Sequence, residues 1–297
     1  MYRDQPQHQV EEWLGELMWQ DHPLGRSLTG TPQTLRGLSR AEILRFKDRM
    51  YGSVNTLIAF AGRVEHDACV ANIGEFWRRR RSGTKPVFGR VNGAVAQGRL
   101  RVQSKDIEQT HVALGVRLFG RNDQRRYALK LLSVMLGENM SSRLFQVVRE
   151  KHGLAYAIQS GLHLFAETGV LDITAGLDRG RTDKALDLIV REMVRMKDKP
   201  VGPAELKRAK EYAIGQIRLG LEGTTNQMMW IGDNFLSYGR FITPEVCIAR
   251  LNEVTAEDVQ RLARGIFGER HTSVALVAPD LKVSDEEKIV TCLERLG

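Results

Sequence analysis

Residues 141–161, SSRLFQVVREKHGLAYAIQSG, carry the densest structural signal in the chain. A serine at the start of this stretch can cap a helix, and the apolar residues that follow it recur at helical spacing. Gly153 is the type of residue that commonly ends a helix, and an alternating apolar pattern begins after it. The stretch therefore predicts a helix over residues 142–152 that is followed directly by a strand over residues 155–164.

Two side chains of this stretch are candidates for binding a ligand. Arg149 lies near the end of the predicted helix, and Tyr156 lies just beyond the turn. A guanidinium and a phenol at this place can donate hydrogen bonds to the carbonyl oxygens of a peptide that lies along the strand. In the structural alternative, Arg149 pairs with Glu150 or another nearby acid, and Tyr156 packs in the core. The residue pattern by itself favours this alternative.

The segments on both sides continue with strands and blocks of helices. Alternating apolar residues predict further strands over residues 109–119, 170–175 and 272–278. Apolar residues at helical spacing predict helices over residues 124–136, 182–196, 203–217 and 285–296. Neighbouring strands that can pair, together with helices in blocks, indicate an α+β fold with an antiparallel-rich sheet and helices on one face.

The N-terminal part of the chain has the same kinds of elements but too few strands. It has predicted helices over residues 7–20, 39–50 and 67–77, and a single predicted strand over residues 55–61. One strand cannot form a sheet, so we expect residues 1–80 to be part of a domain that is similar to the complete domain at residues 107–297. Residues 81–106 are rich in glycine and lack a periodic apolar face, which predicts a linker.

The composition is that of a soluble globular protein. Of the 297 residues, 42% are hydrophobic and 27% are charged. No apolar run approaches the ~18 residues that a membrane span needs, and no signal peptide is visible. The three cysteines are well separated and do not predict a disulfide framework. A reducing compartment, by default the cytoplasm, is therefore expected.

The net charge of +8 favours encounters with acidic partners. The most basic stretch is the run of four arginines at residues 78–81, which predicts either a nucleic-acid patch or a solvated helix end. No aromatic residues interleave with these arginines, and cations are favoured at the C-terminus of a helix. The helix-end interpretation is preferred, and neither nucleic acid nor a membrane is expected as a partner.

The sequence contains no motif for catalysis or metal binding that we recognise. None of the seven histidines belongs to an H-E-x-x-H or H-x-x-E-H pair. His8 and Glu11 share a predicted helix face, but they make only half of a metal site, so a solvated histidine is favoured. Nucleophile-elbow, Walker and dinucleotide-binding motifs are also missing. We therefore predict no catalytic residue, no metal ligand and no cofactor in this chain.

The pattern SSRLFQ-x-x-RE-x-x-GLAY-x-x-x-S closely resembles a segment that is typical of the pitrilysin/insulinase family of zinc metallopeptidases, which includes mitochondrial processing peptidase. The loop HPLGRSLTGT at residues 22–31 and the stretch over residues 38–64 are also similar to the family, in the same order. The resemblance implies that Arg149 and Tyr156 bind the substrate backbone from the second domain, facing a zinc site in the first.

The zinc motif is where the chain departs from the family. In the family, H-x-x-E-H and a glutamate ligand precede the HPLGR loop, and this chain starts too late to contain them. The resemblance therefore implies an N-terminally truncated member that carries the substrate-binding half and is inactive alone in the proteolysis of peptides or unfolded segments. Zinc is expected only in a complete family member. The alternative is a non-catalytic partner or structural subunit. Besides a peptide, the expected partner is a catalytic peptidase subunit or a second copy of the chain.

Overall fold

The computed structural model of the protein describes residues 5–79, 83–91, 99–279, 281 and 283–297. Its strands are β1 (Leu100–Ser104), β2 (Thr110–Phe119), β3 (Ala155–Leu164), β4 (Thr168–Leu177) and β5 (Thr272–Ala278). Its α-helices are α1 (Pro6–Met18), α2 (Pro32–Gly37), α3 (Arg40–Met50), α4 (His66–Arg78), α5 (Arg126–Leu136), α6 (Thr182–Asp198), α7 (Pro203–Gly220), α8 (Thr224–Tyr238), α9 (Pro244–Glu253), α10 (Ala256–Ile266) and α11 (Val283–Glu294). A π-helix spans Phe145–Lys151.

The strands that the structure describes form one sheet in the order β1-β5-β2-β4-β3. β1 and β5 are parallel, whereas the other neighbouring pairs are antiparallel. The predicted α+β fold with an antiparallel-rich sheet is confirmed. β3 is the last strand at one edge, so its outer side has no partner strand in the described sheet.

One side of the core is formed by apolar residues at every second position of the central strand, β2. Val112, Leu114 and Val116 on β2 are at most 1% exposed. Helices α5 and α10 contact the sheet, and α6 packs against α10. Burial of each such apolar side chain contributes about 1.5–3 kcal/mol, which is why an alternating apolar sequence forms a strand here.

Helix α1 covers the opposite face of the sheet. An added Cβ at Gly115 would lie only 2.8–3.0 Å from side-chain carbons of Met18 and Leu14, so the helix packs closely over this glycine. Ala113 and Val277 belong to the same buried cluster as the apolar side of α1. Small residues on this face of β2 thus leave room for a helix. The sheet therefore has the predicted helices on one face and, in addition, helix α1 on the other face.

By its contacts, the chain divides into two compact units. The first comprises the described residues within 1–26, 91–215 and 245–297, and the second those within 27–90 and 216–244. This grouping differs from the predicted division into 1–80, 81–106 and 107–297. Helix α1 belongs with the sheet, and the predicted linker ends earlier than expected because Leu100–Ser104 pairs with β5.

The second unit contains helices and no strand among its described residues. The predicted strand over residues 55–61 is wrong: Ser53–Asn55 forms a 3-10 turn, and residues 56–61 have no strand pairing. A strand needs backbone hydrogen bonds to a second strand, and the described part of this unit supplies none. The predicted helix over residues 39–50 is present as α3, and it begins with a capping box in which the Ser39 N–H donates to Glu42 Oε2 over 2.8 Å.

Candidate functional site

The edge strand β3 and the π-helix before it carry both predicted site residues. Leu144 and Val148 are fully buried and fix the inner side of the helical segment, whereas Arg149 is exposed. The predicted helix over residues 142–152 is present, but most of it has π geometry rather than α geometry. Single π segments are frequent at functional sites.

A tight turn joins the π-helix to β3. Gly153 has φ +58°, a left-handed conformation that favours glycine. The Gly153 N–H donates to the Arg149 carbonyl over 2.9 Å, and the Leu154 N–H donates to the Val148 carbonyl over 2.9 Å. These bonds close the end of the helix and start β3 at once, so the side chains of residues 149 and 156 flank one compact turn.

Tyr156 lies at a β-bulge. Ala155 pairs with Leu177 and Ala157 pairs with Gly176, so Tyr156 is an extra residue on β3 opposite β4. Bulges of this kind turn a side chain away from the regular alternation of the strand. Tyr156 is 59% exposed, and the alternative that placed it in the core is therefore wrong.

Two carboxylates surround the Tyr156 phenol. Its hydroxyl hydrogen-bonds to Asp178, and the negative charges of Asp178 and Glu108 raise the pKa of Tyr156 further. The phenol is therefore neutral at physiological pH, and its single proton is donated to Asp178. Asp178 follows directly after β4, and sequence reasoning missed it because only the pairing of β3 with β4 brings it to Tyr156.

Arg149 is oriented by an aromatic ring rather than by an acid. Its guanidinium carbon lies 4.8 Å from the centre of the Phe145 ring. Within the described part of the chain, no ion pair joins Arg149 to Glu150, the partner that the structural alternative named. A cation over a ring is held without using up its hydrogen-bond donors, so Arg149 can still donate to a ligand.

Replacing Asp178 with asparagine is expected to lower the pKa of Tyr156 towards the ordinary tyrosine value of about 10. The substitution removes the negative charge that disfavours the phenolate. The titration of Tyr156 is measured by phenolate absorbance. In the wild-type chain and in Asp178→Asn, the signal of the corresponding chain that also carries Tyr156→Phe is subtracted, which leaves the contribution of Tyr156. An unchanged Tyr156 titration would mean that Asp178 does not control the phenol.

The described residues do not provide the ligand set of a zinc ion. No group of three histidine, cysteine, aspartate or glutamate side chains among them is arranged to hold a metal. His8 Nδ1 lies 3.7 Å from Glu11 Oε2, which is the half-site that the sequence indicated. Zinc sites use three or four protein ligands, and His8 with Glu11 makes up only two.

Two further predictions concern partners. In the arginine run at residues 78–81, the Arg78 side chain donates to the Gly74 carbonyl within helix α4, and Arg79, the residue after the helix, pairs with Glu75. Arg80 and Arg81 lie outside the described residues. The absence of a nucleic-acid partner stays a prediction.

Among the helices of the described ranges, none combines the length and the apolar character that a bilayer crossing requires.

Comparison with known proteins gives the family context. The sequence model described as "Peptidase M16 inactive domain" matches residues 37–212. The chain is 34% identical to an uncharacterized zinc protease of Mycobacterium leprae, a match that covers 93% of this chain and 63% of that protein. It is 35% identical to an uncharacterized zinc protease of Mycobacterium bovis, covering 93% and 64%. The chain thus spans less than two thirds of the length of these relatives.

Solved structures show the same fold at low sequence identity. A protease from Helicobacter pylori superposes with a TM-score of 0.86 at 18% identity, covering 94% of this chain and 68% of the other. A peptidase M16 inactive domain from Pseudomonas fluorescens superposes with a TM-score of 0.85 at 18% identity, covering 94% and 67%. At this identity the likeness concerns the fold alone.

Proposed function

The chain belongs to the M16 peptidase family, and on that premise we propose that it binds peptides or unfolded segments in extended form along β3, with Arg149 and Tyr156 holding the peptide backbone. The observation that carries the proposal is that two exposed polar side chains, Arg149 and Tyr156, lie on the two sides of the turn that opens the edge strand β3. An edge strand offers backbone N–H and C=O groups that an extended peptide can pair with. On β3 we assign this pairing to the part near Tyr156, because the Ser160 N–H already donates to the Gly137 carbonyl over 3.1 Å.

The chemistry of the two side chains suits backbone recognition. The Arg149 guanidinium carries five N–H donors and no acceptor, and the Tyr156 hydroxyl is kept neutral by its surroundings. Arg149 can donate to carbonyl oxygens, which every peptide has at regular spacing, and Tyr156 can do so when its single O–H turns from Asp178 to the peptide. Binding through these groups is therefore expected to be broad, with little dependence on the side chains of the peptide.

The proposed role is capture of the substrate, without a hydrolytic step by these residues. A peptidase reaction with zinc would need ligands from another segment or polypeptide, such as a catalytic peptidase subunit. Zinc supplies an activated water in such a site when it is bound. The second candidate function is a non-catalytic partner or structural subunit, in which β3 binds no peptide.

Peptide affinity distinguishes the two functions. We expect the purified chain to bind a fluorescein-labelled, unstructured peptide, as measured by fluorescence anisotropy, and not to cleave it. Arg149→Ala is expected to weaken binding by about 10-fold or more, because a hydrogen bond from a charged donor contributes about 1.5–3 kcal/mol. Tyr156→Phe removes a neutral donor and is expected to weaken binding by about two- to tenfold.

Matched controls are available in the same unit. Arg261 lies on α10 with an exposed side chain, and Tyr212 lies on α7. Arg261→Ala and Tyr212→Phe are expected to leave peptide affinity unchanged. If wild-type chain binds no peptide, or if both site variants bind as well as their controls, the structural-subunit function is favoured instead.

A further inference from the structure

Arg143, six residues before Arg149, makes a bidentate ion pair with Glu205. Its Nε lies 2.7 Å from Glu205 Oε1, and its Nη2 lies 2.8 Å from Glu205 Oε2, so the guanidinium grips the carboxylate with two parallel bonds. The side chain of Arg143 is only 20% exposed. The hydrogen bonds to Glu205 raise the pKa of Arg143, and the pair is less screened than a surface ion pair.

The same guanidinium reaches a second helix. Arg143 Nη1 lies 3.9 Å from Glu192 Oε2, and Glu192 is also bound by Arg195 Nη1 over 2.7 Å. Glu192 lies on α6 with a side chain only 5% exposed, and Glu205 lies in the first turn of α7. Arg143 therefore connects the start of its own helical segment to both α6 and α7.

This attachment lies immediately before the π-helix. Arg143 and Leu144 form the last α-helical residues before Phe145–Lys151. A π-helix is a rare geometry that a chain does not keep by local preference, so contacts at its ends must hold it. At the far end, the Gly153 turn and the Leu154 N–H bond to Val148 attach the segment to β3. At the near end, the charged attachment is Arg143.

We infer that Arg143 is a positioning residue for peptide capture: its grip on Glu205 and Glu192 holds the π-helix in the geometry that keeps Arg149 over Phe145 and exposed to a ligand. The inference rests on the proposed function. A lysine cannot replace Arg143, because an ammonium is a point charge and cannot bond both oxygens of Glu205 in a fixed plane while it also approaches Glu192.

A double-mutant cycle tests the inference with the same labelled peptide. Arg143→Lys is made in the wild-type chain and in Arg149→Ala, and peptide affinity is measured by anisotropy. If Arg143 acts through Arg149, Arg143→Lys is expected to weaken binding about fivefold when Arg149 is present and less than about twofold when it is absent. Glu205→Gln, which breaks the same pair from the other side, is expected to behave alike.

The controls separate positioning from folding. Arg191 pairs with Asp187 over 2.8 Å on the exposed side of α6, and Arg191→Lys should change affinity in neither background. Equal losses for Arg143→Lys with and without Arg149 would overturn the inference in favour of a purely structural role. No loss in the wild-type background would also overturn it, while the proposed function stands. If Arg149→Ala itself leaves the affinity unchanged, the proposed function fails, and the inference fails with it.

Discussion

Replacing Trp13 with alanine is expected to lower the free energy of unfolding of the sheet-containing unit by about 3–5 kcal/mol, the usual cost of truncating a buried Trp or Phe. Trp13 is 7% exposed and belongs to the cluster that joins α1 to the sheet. Its ring also lies 4.3 Å below the guanidinium carbon of Arg101, a residue of β1. The substitution therefore removes apolar burial and a cation–π contact together.

The unfolding of Trp13→Ala is followed by circular dichroism in urea, because the substitution removes a fluorophore. Gln7, which is exposed on the same helix, provides the matched control, and Gln7→Ala should stay within about 0.5 kcal/mol of the wild type. Equal stability of Trp13→Ala and Gln7→Ala would mean that α1 does not pack on the sheet as described.

Helix α1 shows what periodicity can and cannot predict. The spacing of Val10, Trp13, Leu14 and Leu17 predicted an amphipathic helix, and all four side chains are buried in the structure. An apolar stripe indicates that a helix covers something, but it does not identify the surface. The order of predicted elements grouped this helix with residues 27–80, whereas its contacts are with β2 and β5, which lie far along the chain.

The strands show the same limit. The segment over residues 55–61 has a strand-like composition but no pairing among the described residues, while Leu100–Ser104 lies in a glycine-rich stretch and still forms a strand. Leu100 pairs with Val274, a residue distant in sequence. Strand formation depends on a partner, and local composition carries no information about a distant one.

The local part of the candidate site could be predicted from the sequence, whereas the part that depends on contacts between distant segments could not. The turn at Gly153 and the residues that it brings together follow from the local sequence, and the structure places Arg149 and Tyr156 beside that turn. The bulge at Tyr156 and its contact with Asp178 depend on the register of β3 against β4, which the sequence does not specify. The attachment of Arg143 to Glu205 likewise needs the packing of α7.

A second large effect is expected at the contact between α5 and the edge strand. Gly137 ends α5, and an added Cβ there would lie 2.7 Å from the backbone N of Ser160 and 2.8 Å from its Oγ. The Gly137 carbonyl also accepts a hydrogen bond from that same N–H over 3.1 Å. Gly137 has φ −158°, which any residue adopts, so the restriction is one of space.

Gly137→Ala is therefore expected to destabilise the unit by about 1–3 kcal/mol, because the blocking atom is backbone and cannot rotate away. The helix and β3 must separate, and since β3 carries Tyr156, peptide binding should weaken as well. Gly215 lies inside α7 with nothing within 4 Å of an added Cβ. Gly215→Ala should instead stabilise the chain by about 0.5–1 kcal/mol.

The opposite signs make the comparison decisive, since both variants add one methyl group in place of a glycine hydrogen. Urea denaturation gives the change in unfolding free energy, and anisotropy with the labelled peptide gives the change in affinity. A stable Gly137→Ala chain with normal affinity would show that α5 does not set the position of β3. A destabilised Gly137→Ala chain with weakened binding, beside a stabilised Gly215→Ala chain with unchanged affinity, would show that the edge strand that we propose as the binding surface depends on the packing of α5.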